Sequence, residues 1–185
     1  MDNATPISDF RQKKLIFIFE NFFDVNHSGS IERKDFDQAV DYICGRRGWE
    51  KDSNKYNDTR ERFIQIWDAL RCVADANTDD QVSQEEWCRL WRTPSDCESW
   101  QNTYQSFMFY LLDTSGDGSI DVDEFTSVCS TYGVSPDECR GAYKKLSKDG
   151  TVKVDKPYYS VLWKDFFFSD DTAALGNFIF GKINF

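Results

Sequence analysis

The sequence predicts an all-α fold of four helix–loop–helix units arranged in two pairs, with the fourth loop degenerate and an apolar C-terminal tail packed on the body. Three observations carry this. Carboxylates and other oxygen-bearing residues crowd into three twelve-residue stretches of matching pattern. Apolar residues at helical spacing flank each stretch on both sides. A fourth copy of those flanks recurs near the end without the oxygens.

The elements follow in order. Ser8 is the candidate cap of the first helix, which should bury Leu15, Ile16, Phe19, Phe22 and Phe23. Loop one is "DVNHSGSIERKD", Asp24 to Asp35. Phe36, Ala39 and Val40 mark the second helix, which Gly45 and Gly48 should end. "GRRGWEKDSNKYND" then reads as a long polar linker. Phe63, Ile66, Trp67, Leu70 and Ala74 lead into loop two, "DANTDDQVSQEE", Asp75 to Glu86, and Trp87, Leu90 and Trp91 lead out of it. Thr93-Pro94-Ser95 marks a seam between lobes, placing one pair in residues 1–95 and the other in 96–185. Tyr104, Met108, Leu111 and Leu112 precede loop three, "DTSGDGSIDVDE", Asp113 to Glu124; Phe125, Val128 and Cys129 follow it. Ser135-Pro136 should open the seventh helix with proline in its first turn. Cys139, Tyr143 and Leu146 form its apolar face, and Tyr159, Leu162, Trp163 and Phe166 form that of the eighth. Between those two helices Ser147 falls at the first loop place, Val154 at the eighth and Tyr158 at the twelfth. The unit persists but its ligands are gone, so no metal is expected there. Val154 should still pair with the eighth residue of loop three in a short strand.

The loop pattern is that of the EF-hand calcium loop, D-x-[DN]-x-[DN]-G-x5-E. Calcium takes six to eight oxygens, and a twelve-residue loop supplies them from places one, three, five and twelve, a main-chain carbonyl at seven, and often a water at nine. Loop three meets each demand with Asp113, Ser115, Asp117, the Ser119 carbonyl and Glu124. Gly118 makes the turn, Asp121 can hold the water, and this should be the tightest site. Loop one offers Asp24, Asn26, Ser28, the Ser30 carbonyl and Asp35, with Gly29 at the turn. Asp35 is one methylene short of Glu and grips less well with two oxygens, so Mg²⁺ can compete there. Loop two offers Asp75, Asn77, Asp79, the Gln81 carbonyl and Glu86, but Asp80 stands where glycine is preferred, which should weaken binding. The alternative for any single loop is an EF-hand kept for its fold alone.

Composition narrows the partners. A formal net charge of −10, from 22 basic and 32 acidic residues, argues against nucleic acid or an anionic membrane as the main partner. The six cysteines form no CxxC pair, and with His27 the sole histidine a zinc site is not expected. At least four of the cysteines are expected to be small buried hydrophobes. The first residues show no signal core, Asp2 excludes myristoylation, and no window approaches the ~20 apolar residues of a membrane helix. A cytoplasmic chain with reduced thiols is expected. Only two methionines argue against a flexible target-binding groove.

With "FFDVN" entering loop one, "DFDQAVDYICGRRGW" after it, "EEWCRLW" after loop two and the ending "GNFIFGKINF", the chain resembles one group over nearly its whole length. That group contains the invertebrate sarcoplasmic calcium-binding proteins, calexcitin and the insect juvenile hormone diol kinase. The resemblance implies a cytosolic calcium binder, a buffer or signal modulator with up to three occupied sites, and calexcitin-like members share the departures at Asp35 and Asp80. It also implies an alternative: ATP-dependent phosphorylation of a hydrophobic diol, with ATP and that small molecule as partners. For this the candidate cofactor-binding residues are Gly176, Gly181 and Lys182, in G-x4-G-K spacing. Ile183 stands where Ser or Thr would hold Mg²⁺, and too few residues follow for a helix to begin. "DTSG" at Asp113 to Gly116 is already explained by loop three, and "NKYN" from Asn54 misses N-K-x-D. Phe178, Ile179, Phe180, Ile183 and Phe185 are instead expected to fold back into a groove between helices.

Overall fold

The structure is a computed structural model that describes residues 7–92 and 98–185. The expected seam at Thr93-Pro94-Ser95, as well as Asp2 and Cys97, lies outside the described residues. Eight α-helices are present among the described residues: α1 (Asp9–Ile18), α2 (Arg33–Arg46), α3 (Asn54–Ala74), α4 (Gln84–Leu90), α5 (Glu98–Leu112), α6 (Val122–Cys129), α7 (Pro136–Leu146) and α8 (Lys156–Phe168). Two compact units emerge. The first comprises the described residues of 16–103; the second takes residues 7–15 together with Tyr104–Phe185. Both α1 and α5 are therefore shared along their length between units.

In the first unit, strands β1 (Ser30–Ile31) and β2 (Val82–Ser83) pair antiparallel, with Ile31 opposite Val82. These are the eighth residues of loops one and two. Around them lies a core of Phe19, Phe23, Phe36, Trp67, Trp87, Trp91 and Trp100. Trp87, Trp91 and Trp100 form a triangle with ring centroids 5.4–5.9 Å apart, and Phe23 lies 4.9 Å from Trp87. Edge-on and offset pairs of this kind add to area burial, itself worth about 1.5–3 kcal/mol per large side chain.

The second unit repeats the plan. Strands β3 (Ser119–Ile120) and β4 (Val154–Asp155) pair with Ile120 opposite Val154, so the degenerate loop keeps its strand as its sequence predicts. The tail is packed as expected. A 3-10 turn, Leu175–Phe178, seats Phe180 against Phe166 at 4.8 Å and Trp163 at 6.0 Å, while Phe185 meets Phe166 at 5.9 Å. The start of α1 belongs to the same cluster, since Phe10 stacks edge-on against Phe185. Two cations from α1 enter this apolar region. Arg11 Nε donates to the Phe167 carbonyl at 2.6 Å. Lys14 Nζ, fully buried, donates to the Ser169 carbonyl at 3.0 Å and Asn177 Oδ1 at 2.8 Å. They satisfy carbonyls at the C-terminal end of α8 and beyond, where a helix carries partial negative charge.

Local chemistry explains the boundaries. The Ser8 hydroxyl accepts from the Arg11 N–H and caps α1. A π-helical turn, Phe19–Phe23, extends α1, and Asp24 N–H closes it on the Phe19 carbonyl at 2.8 Å. Gly45 does not end α2; it lies within the helix. The end comes at Gly48, whose φ of +66° lets its N–H reach the Gly45 carbonyl while that of Trp49 reaches Cys44. The polar stretch after it is also shorter than expected: Ser53 caps α3 through Tyr56 N–H, and the polar residues from Asn54 onward are already helical. Ser135 caps α7 with Pro136 in the first turn, as expected. Of the five described cysteines, Cys44, Cys129 and Cys139 are buried, Cys88 is half-buried and Cys72 is exposed.

Candidate metal centres

Each of loops one to three begins where an incoming helix ends and closes where an outgoing helix is capped. In all three the place-one carboxylate accepts the amide hydrogens of places five and six. Asp24 takes those of Ser28 and Gly29, each at 2.9 Å. Asp75 takes those of Asp79 at 3.3 Å and Asp80 at 3.0 Å. Asp113 takes those of Asp117 and Gly118, each at 3.1 Å.

The place-twelve carboxylate crosses each loop and ties its two ends together. Asp35 accepts from Asn26 N–H at 3.2 Å and Glu32 N–H at 2.8 Å. Glu86 accepts from Ala76 at 3.0 Å and Ser83 at 2.9 Å. Glu124 accepts from Ser115 at 2.7 Å and Asp121 at 3.0 Å. The second bond in each case closes a capping box on α2, α4 or α6. One carboxylate thus starts a helix and spans a loop.

Backbone signs agree with this repetition. Places four and six have positive φ in all three loops: His27 and Gly29, Thr78 and Asp80, Gly116 and Gly118. Asp80 adopts +61° although it carries a Cβ, and its carboxylate is ion-paired with Arg71 of α3.

The middle ligands face one another too. Ser28 Oγ donates to the Ser30 carbonyl at 3.0 Å. Asn77 Nδ2 donates to Asp79 Oδ2 at 2.9 Å, and Gln81 N–H donates to Asp79 Oδ1 at 3.0 Å. Ser119 donates to Asp117 Oδ1 from N–H at 2.9 Å and from Oγ at 2.7 Å. Every one of the fifteen sequence-predicted metal residues therefore lies on one of these loops. Among the described residues no group of three or more His, Cys, Asp or Glu side chains is gathered tightly enough to hold an ion. The carboxylates are turned instead toward loop amides, and the ligand set mixes acids with Asn, Ser and main-chain oxygens. Such an all-oxygen donor set suits a hard cation such as Ca²⁺.

Carboxyl energetics differ between loops. Asp35 is 1 % exposed, and burial raises its pKa despite the amides it accepts, with Asp24 adding repulsion. For Glu124 burial acts the same way, but the hydrogen bonds from Asp121, Ser115 and Thr114 outweigh it and hold the carboxyl below its ordinary range. Glu86 is held low by the same balance, through Ser83 and Ala76.

Loop four is built differently. Its positive φ values fall at places two, three and four, Lys148, Asp149 and Gly150. Asp149 N–H donates to the Lys144 carbonyl and Val152 N–H to that of Ser147. Gly150 N–H donates to Ser147 Oγ at 3.1 Å, and the hydroxyl of Tyr158, at place twelve, donates to the Leu146 carbonyl at 2.8 Å. The loop is closed by its own hydrogen bonds.

The phosphate-loop candidates serve packing. A Cβ on Gly176 would lie 2.2 Å from the Leu162 carbonyl oxygen, and one on Gly181 2.8 Å from Cys129 Cβ. Lys182 Nζ lies 3.9 Å from Glu138 Oε1, which also accepts the Ile183 N–H. The kinase alternative therefore finds no support in this geometry.

Comparison with known proteins follows the same line. The EF hand family matches residues 105–129. Calexcitin-1 of Caenorhabditis elegans is 34% identical over 98% of this chain and 91% of its own length. Sarcoplasmic calcium-binding proteins II, V, VI and VII of Branchiostoma lanceolatum are 31% identical over 95% of this chain and 98% of theirs. The solved structure of a sarcoplasmic calcium-binding protein from amphioxus superposes with a TM-score of 0.81 at 29% identity, covering 96% of this chain and 99% of that one.

Proposed function

The chain belongs to the EF-hand family that contains calexcitin and the sarcoplasmic calcium-binding proteins, and from that premise we propose that it holds calcium in loops one, two and three and none in loop four. It is a calcium-binding EF-hand protein; the number of ions and their ligands are our reading. The observation that carries it is the repeated hydrogen-bond frame of the three loops, absent from the fourth. Asp24, Asn26, Ser28, the Ser30 carbonyl and Asp35 form the first set. Asp75, Asn77, Asp79, the Gln81 carbonyl and Glu86 form the second. Asp113, Ser115, Asp117, the Ser119 carbonyl and Glu124 form the third. The short, buried Asp35 makes loop one the site at which Mg²⁺ competes.

The role that fits is a buffer or signal modulator, and the sarcoplasmic relatives support a cytoplasmic setting. Among the described residues no helix is long and apolar enough to cross a membrane. The aromatic face of the second unit is covered by the chain's own tail, with Phe180 fully buried. Calcium binding without exposure of a target groove follows from that cover. A sensor would open a Met-rich face on loading. Titration of stripped protein with Ca²⁺, followed by Trp fluorescence and by a hydrophobic dye, separates the two. Fluorescence should change, since Trp87 adjoins Glu86, while dye binding should rise little. A several-fold rise in dye signal would favour a sensor.

A further inference from the structure

We infer that Arg71 is a positioning residue for the second calcium loop, supplying at place six the restraint that glycine makes unnecessary in loops one and three. The inference rests on the calcium reading of loop two given above.

Place six has one task in all three loops. Its N–H must point back at the place-one carboxylate, which requires a positive φ. Gly29 and Gly118 do this at +91° and +85°. Asp80 does it at +61°, with its N–H on Asp75 Oδ2 at 3.0 Å. An L-residue is strained in that region, though Asp tolerates it better than most. Asp80 brings a second difficulty: a carboxylate beside a calcium loop can turn inward and take loop amides for itself, as Asp side chains do in turns.

Arg71 answers both. It lies on α3 four residues before Asp75, and its guanidinium pairs with the Asp80 carboxylate. That pairing turns the Asp80 side chain outward, where it is 76% exposed, and fixes the peptide whose N–H serves Asp75. The repeats themselves supply the control. Four residues before place one stand Glu20 in the first unit's opening helix and Phe109 before loop three. The loop with Asp at place six is the one preceded by Arg, and the two with Gly are not. Loop four, with Val152 at place six and no positive φ there, has Tyr143 at the corresponding position.

A double-mutant cycle on the full chain tests this. Wild type, Arg71→Ala, Asp80→Gly and the double variant are titrated with Ca²⁺ and followed at the residue-80 amide by ¹⁵N NMR, which reads loop two apart from the others. With Asp80 present, loss of Arg71 should weaken loop two roughly three- to five-fold, the range open to a partly exposed ion pair. With Gly at position 80, loss of Arg71 should not weaken it. Arg71→Lys should recover part of the affinity, because it keeps the charge. The inference is overturned if Arg71→Ala acts equally in both backgrounds, or in neither. A residue-80 amide indifferent to Ca²⁺ in all four proteins would overturn the calcium reading of loop two, and this inference with it.

Discussion

The place-twelve carboxylates carry two duties each, capping a helix and closing a loop, and their substitution is correspondingly informative. Glu124→Gln keeps the shape but removes the charge and half of the acceptor capacity. It should weaken loop three by about 2–3 kcal/mol, roughly thirty- to hundred-and-fifty-fold, measured as loss of the highest-affinity phase in a calcium titration. The pKa directions give a pH order. Glu124 and Glu86 lie below their ordinary range in the folded chain, so each contributes stability that is lost only as pH falls through the lowered value. Asp35 is raised, so the folded chain takes its proton sooner than the unfolded one. Its charged form is a penalty at neutral pH, relieved as pH falls through the raised value. On acidification, loop one should therefore release calcium before loops two and three. An acid titration followed at the Gly29, Asp80 and Gly118 amides checks the order.

At the scale of elements, the clasp between α1 and the tail carries its own consequences. Lys14 is fully buried, and burial pushes its pKa down to about 8, with Arg11 adding to the effect and Asp170 and Asp165 opposing it. The unfolded chain keeps that proton up to the ordinary lysine range. Stability should thus rise with pH between about 8 and the ordinary value near 10.5, through this group. Thermal melts of wild type and Lys14→Met across that range should diverge, the variant lacking the rise. Gly176→Ala drives a Cβ into the Leu162 carbonyl and should cost at least about 1–3 kcal/mol in urea denaturation.

The elements also show what the sequence could and could not express. Strand pairing at Ile31–Val82 and Ile120–Val154 was legible, because the eighth loop place has one geometry. The repeat of helix, loop and helix was legible for the same reason. The actual turn of loop four was not, since Lys148 is an unusual residue for positive φ and the bonds that hold the turn are local. The start of α3 was hidden by its polar first turns, which face solvent and carry no apolar period. Lys14 was hidden by its charge: nothing in a helical stripe marks a cation whose partners, Ser169 and Asn177, are 155 and 163 residues away. The π-helical turn before Asp24 leaves no trace in composition.

For the whole molecule, an acidic chain of net charge −10 gains positive charge with each ion, so self-repulsion eases on loading. Melting temperature should rise with free calcium, as for any ligand that binds only the folded state. The most direct test of the account is calorimetric titration of calcium into stripped protein at neutral pH. Three ions per chain are expected, falling to two in Glu124→Gln if the titration stops short of its weakened site. A flat trace, or a fourth ion held by Ser147–Tyr158, would contradict it.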